Sequence, residues 1–242
     1  MDNSFLGRNV VITGACGGLG QAMARIFHEK QARLILLDKH TGELEKLAGE
    51  LGSDTRTITY DQSDAASIEE AIARIGKADV LVNNAAYMVR KPLLEMSAAE
   101  VHDLINVDLT GMIVVAMETA KLMRGQGGGV IVNVASQLAF TSEPNRAVYS
   151  TAKAGLIRFT KSAAREWIEL GIRVVGVAPG VVQTNMTDNL SPEAKAKLLS
   201  RVPRGEMIMP EEIGRMIAFL ASAEGSAIVG QTLIADKGYL IH

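Results

Sequence analysis

The sequence of 242 residues contains one cysteine, Cys16, so an internal disulfide is excluded and a reducing, cytoplasmic setting is expected. An excess of either charge is also missing: 25 Lys and Arg stand against 27 Asp and Glu, a net charge of −2 with no block of like charge. That argues against nucleic acid or an anionic membrane as partner. Long apolar runs are lacking too. The longest charge-free stretch, Gly125 to Ser142, holds four glycines together with Asn133, Ser136 and Gln137, so no spanning helix is expected. The start, Met1 to Phe5, has neither the basic residues nor the apolar run of a secretion signal. The four histidines, at 28, 40, 102 and 242, have no HxxxH or CxxC company, and no metal site is expected.

With 48% hydrophobic and 21% charged residues, the chain has the composition of one large domain, and we expect residues 1–242 to form it. Short apolar runs alternate with amphipathic ones throughout, which predicts a Rossmann-like, doubly wound parallel α/β sheet of about seven strands covered on both faces by helices. The strands are read at Asn9–Thr13, Arg33–Asp38, Thr55–Tyr60, Asp79–Asn83, Gly129–Ala135, Ile172–Ala178 and Gln231–Asp236. Ala152, Leu156, Phe159, Ala163 and Trp167 form one apolar stripe at helical spacing, which Gly171 closes. Ser97 with Glu100 is a capping-box pattern, and Pro210 before Glu211 and Glu212 suits a helix start. The polar stretch 185–209, with Pro192 and Pro203, reads as a mobile insertion over a pocket.

Directly after the first strand comes Thr13-Gly14-Ala15-Cys16-Gly17-Gly18-Leu19-Gly20, leading into a helical pattern. Glycines there let the backbone approach a pyrophosphate, whose charge the N–H groups of the helix N-terminus stabilise. Asp38 follows 18 residues after Gly20, where a carboxylate can accept hydrogen bonds from an adenosine ribose diol and would repel a 2′-phosphate. NAD is therefore favoured over NADP, although Lys39 and His40 soften the discrimination.

Taken with these features, the chain resembles the short-chain dehydrogenase/reductase family along nearly its whole length. The glycine loop resembles the family's TGxxxGxG, Asp61, opening Asp61-Gln62-Ser63-Asp64, its adenine-contacting aspartate, and Asn83-Asn84-Ala85 its NNAG sequence, with Ala86 in place of the last glycine. Tyr149 to Lys153 matches YxxxK, Ser136 lies 13 residues before the tyrosine, and Asn106 matches the asparagine that completes the family's catalytic tetrad. Pro179, Gly180, Val182 and Thr184 resemble the segment that contacts nicotinamide. The resemblance implies that Gly14, Cys16, Gly17, Gly18, Leu19, Gly20, Asp38, Asp61, Gln62, Asn83, Ala85, Tyr149, Lys153, Pro179, Gly180, Val182 and Thr184 hold the dinucleotide, and that Asn106, Ser136, Tyr149 and Lys153 are catalytic.

Tyr149 and Lys153 are four apart on a helix and share a face, so the ammonium, together with the positive charge of oxidised nicotinamide, would have to draw the phenol's pKa down toward working pH to make it a general base. Ser136 would hydrogen-bond the substrate oxygen, and with Gln137 and Tyr149 would form the substrate contacts. By family analogy Asn106 holds a water that links Lys153 to solvent. The expected function is hydride transfer between NAD and a small secondary alcohol or ketone: a sugar, polyol, alicyclic alcohol or hydroxy acid. An NADPH-dependent 3-oxoacyl thioester reductase and a non-catalytic cofactor-binding scaffold are the alternatives. The substrate loops, 86–94, 137–146 and 185–209, mix apolar residues with Arg90, Glu143, Asn145 and Arg146. The family resemblance also implies a homotetramer built on the two long helices near 97–123 and 148–170.

Overall fold

Strands rich in Val, Ile and Leu on both faces need covering from both sides, and the fold supplies it. The structure, a computed structural model, describes residues 4–184, 187 and 191–241. Seven strands, β1 (Asn9–Thr13), β2 (Arg33–Asp38), β3 (Thr55–Thr59), β4 (Val80–Asn83), β5 (Gly129–Val134), β6 (Ile172–Pro179) and β7 (Thr232–Ala235), form one sheet in the order β3-β2-β1-β4-β5-β6-β7. Every pairing is parallel; Val11 lies between Ile35 of β2 and Leu81 of β4. Strand bounds agree with the sequence reading to within one residue or so. Asp79 lies just outside β4, its carboxylate accepting from the Asn9 amide N–H (2.8 Å).

Helices α1 (Gly18–Glu29), α2 (Thr41–Leu51) and α8 (Pro210–Ala221) cover one face, where Met23, Phe27, Leu44, Leu47, Ile213 and Ile217 bury against Val10, Leu34 and Val132. On the other face lie α3 (Ala65–Ala73), α5 (Met112–Arg124) and α6 (Ala147–Trp167), which contribute Ile68, Val115, Ala116, Ala120 and Ala163. The α6 stripe buries Ala152, Leu156 and Ala163 and brings Phe159 and Trp167 edge to face at 5.9 Å. Gly171 ends that helix in the left-handed region (φ 76°). Before α5 runs α4 (Ala98–Ile105), started by the expected capping box of Ser97 and Glu100. Lys91 and Ser97 hold the Glu100 carboxyl down at about 2.

One expectation needs correcting. The segment 97–123 is not one regular helix: Asn106–Gly111, between α4 and α5, is a π-helical turn. Widening the helix there frees the Val107 carbonyl, which accepts from Gln62 Nε2 (2.8 Å), while Asn106 Nδ2 donates to the Ser63 carbonyl (2.7 Å). Gly111 permits that closeness, since a Cβ on it would stand 2.3 Å from the Gln62 carbonyl oxygen. In the stretch 185–209 the described residues make several contacts. Ser191 caps α7 (Pro192–Leu199), accepting from the Ala194 amide (3.2 Å), and Val202, Met207 and Ile208 are buried, with Ile208 bridging in parallel to Val182. Asn185, Met186 and Leu190 lie outside the described residues.

Since the chain leaves β1 toward β2 and later returns to β4 on the other side, the strand order reverses between them, opening a crevice at the carboxyl ends of the strands.

Candidate active site

That crevice is a cleft of about 980 Å³ running from the glycine loop to Arg90, Arg146 and Tyr239. At its inner end Gly14 adopts φ 64°, and a Cβ there would lie 2.7 Å from Ala85 Cα; one on Gly20 would lie 2.2 Å from the Gly14 carbonyl oxygen. The loop thus has room for backbone alone. No side chain caps α1, and its first turn has no acid, so its N-terminus faces the cleft as a bare positive pole. Thr13 Oγ1 accepts from the amides of Asn84 (2.9 Å) and Ala85 (3.1 Å), joining the ends of β1 and β4 beneath the loop.

Asp38, buried at the tip of β2, accepts from the Cys16 amide at Oδ2 (3.0 Å) and from the His40 amide at Oδ1 (3.2 Å), fixing a carboxylate at the rim. Burial first, then Asp38 and Glu43, pushes the Cys16 thiol up to about 12, so this cysteine is a small unreactive filler. Asp61 is exposed and accepts from the Ser63 amide (2.8 Å) and hydroxyl (2.7 Å), which hold its carboxyl below its usual range. Gln62 lines the cleft but its side chain is committed, accepting from Tyr60 Oη and donating to the Ala85 and Val107 carbonyls. Across the loop, Thr184 packs on Gly18, where an added Cβ would meet its methyl at 3.2 Å. Pro179, Gly180 and Val182 complete that wall, with the Gly180 N–H on the Ala235 carbonyl (2.8 Å). The bare helix terminus, the glycine cradle and the rim carboxylate fit the pyrophosphate and ribose of a dinucleotide.

Ser136, Tyr149 and Lys153 converge on the middle of the cleft. Lys153 is buried, its Nζ 5.6 Å from the Tyr149 ring centroid and 3.5 Å from the Val134 carbonyl. Its charge partner is Asp108, fully buried, with Oδ2 at 3.5 Å from Nζ and Oδ1 accepting from the Tyr87 amide (2.9 Å). Burial lowers the Lys153 pKa and raises that of Asp108, each opposed by attraction to the other. The Tyr149 phenol is also driven up, by burial and then by Asp108, with the Ser136 hydroxyl pulling the other way. Burial is thus the main force on the phenol, and Asp108, which faces Lys153, adds to it.

Two residues named from the sequence are not brought to this point. Asn106 lies outside the cleft lining with its amide on Ser63; the position facing Lys153 is filled by Asp108, two residues on. Asn83 is fully buried beneath the cleft, donating to the Met112 carbonyl (2.7 Å) and to Asn133 Oδ1 (3.0 Å). Asp108 escaped the sequence reading, though a signal existed: Leu104, Asp108, Met112 and Val115 fall at i, i+4, i+8 and i+11, which sets a carboxylate in a buried stripe.

At the outer end, Gln137 is 4% exposed and its Oε1 has no hydrogen-bond partner among the described residues. Glu143 accepts from Tyr239 Oη and pairs with Arg201, whose guanidinium lies 4.9 Å over the Tyr239 ring. Tyr87, Met88, Leu138 and Leu198 supply apolar wall. Among the described residues no cluster could hold a metal and no helix is long and apolar enough to cross a membrane.

A family model described as enoyl-(acyl carrier protein) reductase matches residues 14–240. The cis-4-hydroxycyclohexanecarboxylate dehydrogenase of Sinomonas cyclohexanicum is 38% identical, covering 99% of both chains. The 3-oxoacyl-(acyl-carrier-protein) reductase of Thermotoga maritima is 35% identical over 97% of this chain and 98% of its own. Among solved structures, one from Beutenbergia cavernae, provisionally described as an NAD(P)-dependent gluconate 5-dehydrogenase and holding NADP at low occupancy, superposes with a TM-score of 0.95 at 31% identity and full coverage of both chains.

Proposed function

Because this chain belongs to the short-chain dehydrogenase/reductase family, whose members bind a nicotinamide dinucleotide, we propose that it is an NAD-preferring oxidoreductase that interconverts a small secondary alcohol and its ketone. The observation that carries the reading is the convergence of Ser136, Tyr149 and Lys153 beside the glycine cradle. Gly14 and Gly17 to Gly20 hold the pyrophosphate, Asp38 the adenosine ribose and Asp61 the adenine edge, while Ala85, Pro179, Gly180, Val182 and Thr184 line the nicotinamide half. When bound, the cofactor accepts or donates hydride at nicotinamide C4. The rim carboxylate of Asp38, already fixed by two backbone donors, favours a ribose diol over a 2′-phosphate.

Tyr149 takes the hydroxyl proton in oxidation and returns it in reduction. Ser136 donates to the substrate oxygen, stabilising the charge that builds there as the carbon changes hybridisation. Lys153, within reach of the phenol ring, reaches the nicotinamide ribose hydroxyls and supplies the positive field that a phenolate needs. Gln137 offers its unpartnered carbonyl to a ligand N–H or O–H at the buried end. The second reading, reduction of a 3-oxoacyl thioester with NADPH, is supported by the acyl-carrier-protein reductases among the relatives.

Absorbance of reduced nicotinamide, followed with a panel of secondary alcohols and ketones and both cofactors, tests the proposal. Turnover of small alcohols with NAD is expected, and Tyr149→Phe is expected to abolish it while NAD still binds. Turnover confined to long acyl thioesters with NADPH would establish the second reading instead.

A further inference from the structure

We infer that the outer end of the cleft is a carboxylate site, in which Arg146, assisted by Arg90, grips an acid group on the substrate so that its carbinol carbon lies at Tyr149. This rests on the hydride-transfer reading above and narrows it to hydroxy acids and keto acids.

Both arginines line the cleft, Arg90 from the loop after β4 and Arg146 from the residue that precedes α6. The two loops are joined where they matter: the Lys91 amide donates to the Asn145 carbonyl (3.1 Å). Asn145 itself is held at φ 65°, a conformation a non-glycine residue adopts at some cost, so the turn that delivers Arg146 is imposed by its surroundings. Each guanidinium therefore stands in the field of the other. Arg146 is the more enclosed, and burial and then Arg90 lower its pKa.

Two like charges on one cleft wall favour an anion between them, and among the described residues no carboxylate is ion-paired with either. The neighbouring carboxylates are already engaged: Glu143 by Arg201 and Tyr239, Glu100 by Lys91, Asp108 by Lys153. Glu143 attracts Arg146 only from beyond ion-pair distance, and Asp103, also on the cleft wall, lies toward Tyr87. Among the described residues neither Arg90 nor Arg146 has an ion pair, and Arg146 makes one hydrogen bond, from Nη1 to the Pro144 carbonyl (3.1 Å), leaving the rest of its fork available. Arg146 also stands three residues before Tyr149, at the cap of the same helix, so both line the cleft with a short interval between their backbones. An acid group separated from the carbinol by a six-membered ring or a short chain spans that interval, and Met88 and Leu138 would flank the carbons between. Arg201, by contrast, pairs with Glu143, and the cations of this wall without an ion pair among the described residues are Arg90 and Arg146, which suits a small acid that enters the cleft.

The test uses the intact protein and NAD with cis-4-hydroxycyclohexanecarboxylate, its methyl ester and its carboxamide, and separately measures binding of cyclohexanecarboxylate, which has no hydroxyl to oxidise. The acid should exceed the ester and amide in kcat/KM by about 100-fold, mostly through KM, the loss expected when a partly buried charged partner goes unanswered. Arg146→Gln should bring the acid-to-ester ratio close to one and abolish cyclohexanecarboxylate binding. Equal turnover of acid and ester by the unaltered protein overturns the inference while leaving the dehydrogenase reading standing, and so does preferential turnover of a carrier-protein thioester. Tight cyclohexanecarboxylate binding without oxidation of any alcohol sustains the anion site and overturns the reaction assigned to it.

Discussion

Asp108 sets how strongly Lys153 can act on Tyr149. A carboxylate 3.5 Å from the ammonium, both groups buried, opposes the field that would favour phenolate. The phenol is accordingly raised above its ordinary value by burial and by Asp108. Oxidation needs the deprotonated phenol, so its rate should climb with pH through the alkaline range; reduction needs the phenol itself and should hold until the same pKa is passed. Asp108→Asn removes the opposing charge and lowers that pKa, so both limbs should move to lower pH by about one unit, the scale of a single nearby charge. A pH profile of kcat/KM with limbs unmoved would mean that the carboxyl is neutral in the working enzyme. This residue also marks where the sequence stopped being readable. The motif directs attention to Asn106, an amide of the expected kind, but which of two side chains two positions apart turns inward depends on helix pitch, and that pitch changes at this point.

The pitch change belongs to the element as a whole. Alternation of apolar runs and amphipathic stretches made the seven strands and the α6 stripe legible, because burial on two faces or on one stripe leaves its period in the residues. The π-helical turn leaves no such trace, since the same residue types serve an α-helix equally well. What stabilises the turn is distant in sequence: Gln62 and Ser63 satisfy Val107 and Asn106 across the α3 side of the sheet. Gly111→Ala would push a methyl to within 2.3 Å of the Gln62 carbonyl oxygen and should cost about 1–3 kcal/mol, as overpacked sites do. Denaturant unfolding would measure it, and activity should fall further than stability, because Asp108 sits in the displaced turn.

At the level of the whole molecule, an all-parallel sheet ends in β7, paired only with β6 among the described strands, and apolar side chains remain on the surface near it: Phe219 of α8 is 45% exposed and Ile234 of β7 43%. Met117 of α5 and Ile168 beyond α6 are similarly bare. Such patches are what a symmetric oligomer covers, and we expect a homotetramer that uses the α4–α5 and α6 faces together with this edge. Sedimentation should report a mass near four times 25.8 kDa, and a species of 25.8 kDa at micromolar concentration would refute it. The hydrogen bond from Tyr239 to Glu143 has a practical bearing of its own. Three stretches far apart along the chain, near 143, 201 and 239, meet in one knot at the doorway of the reaction chamber. A change at any one of the three would loosen the other two, so the entrance depends on contacts that no single stretch of the chain supplies.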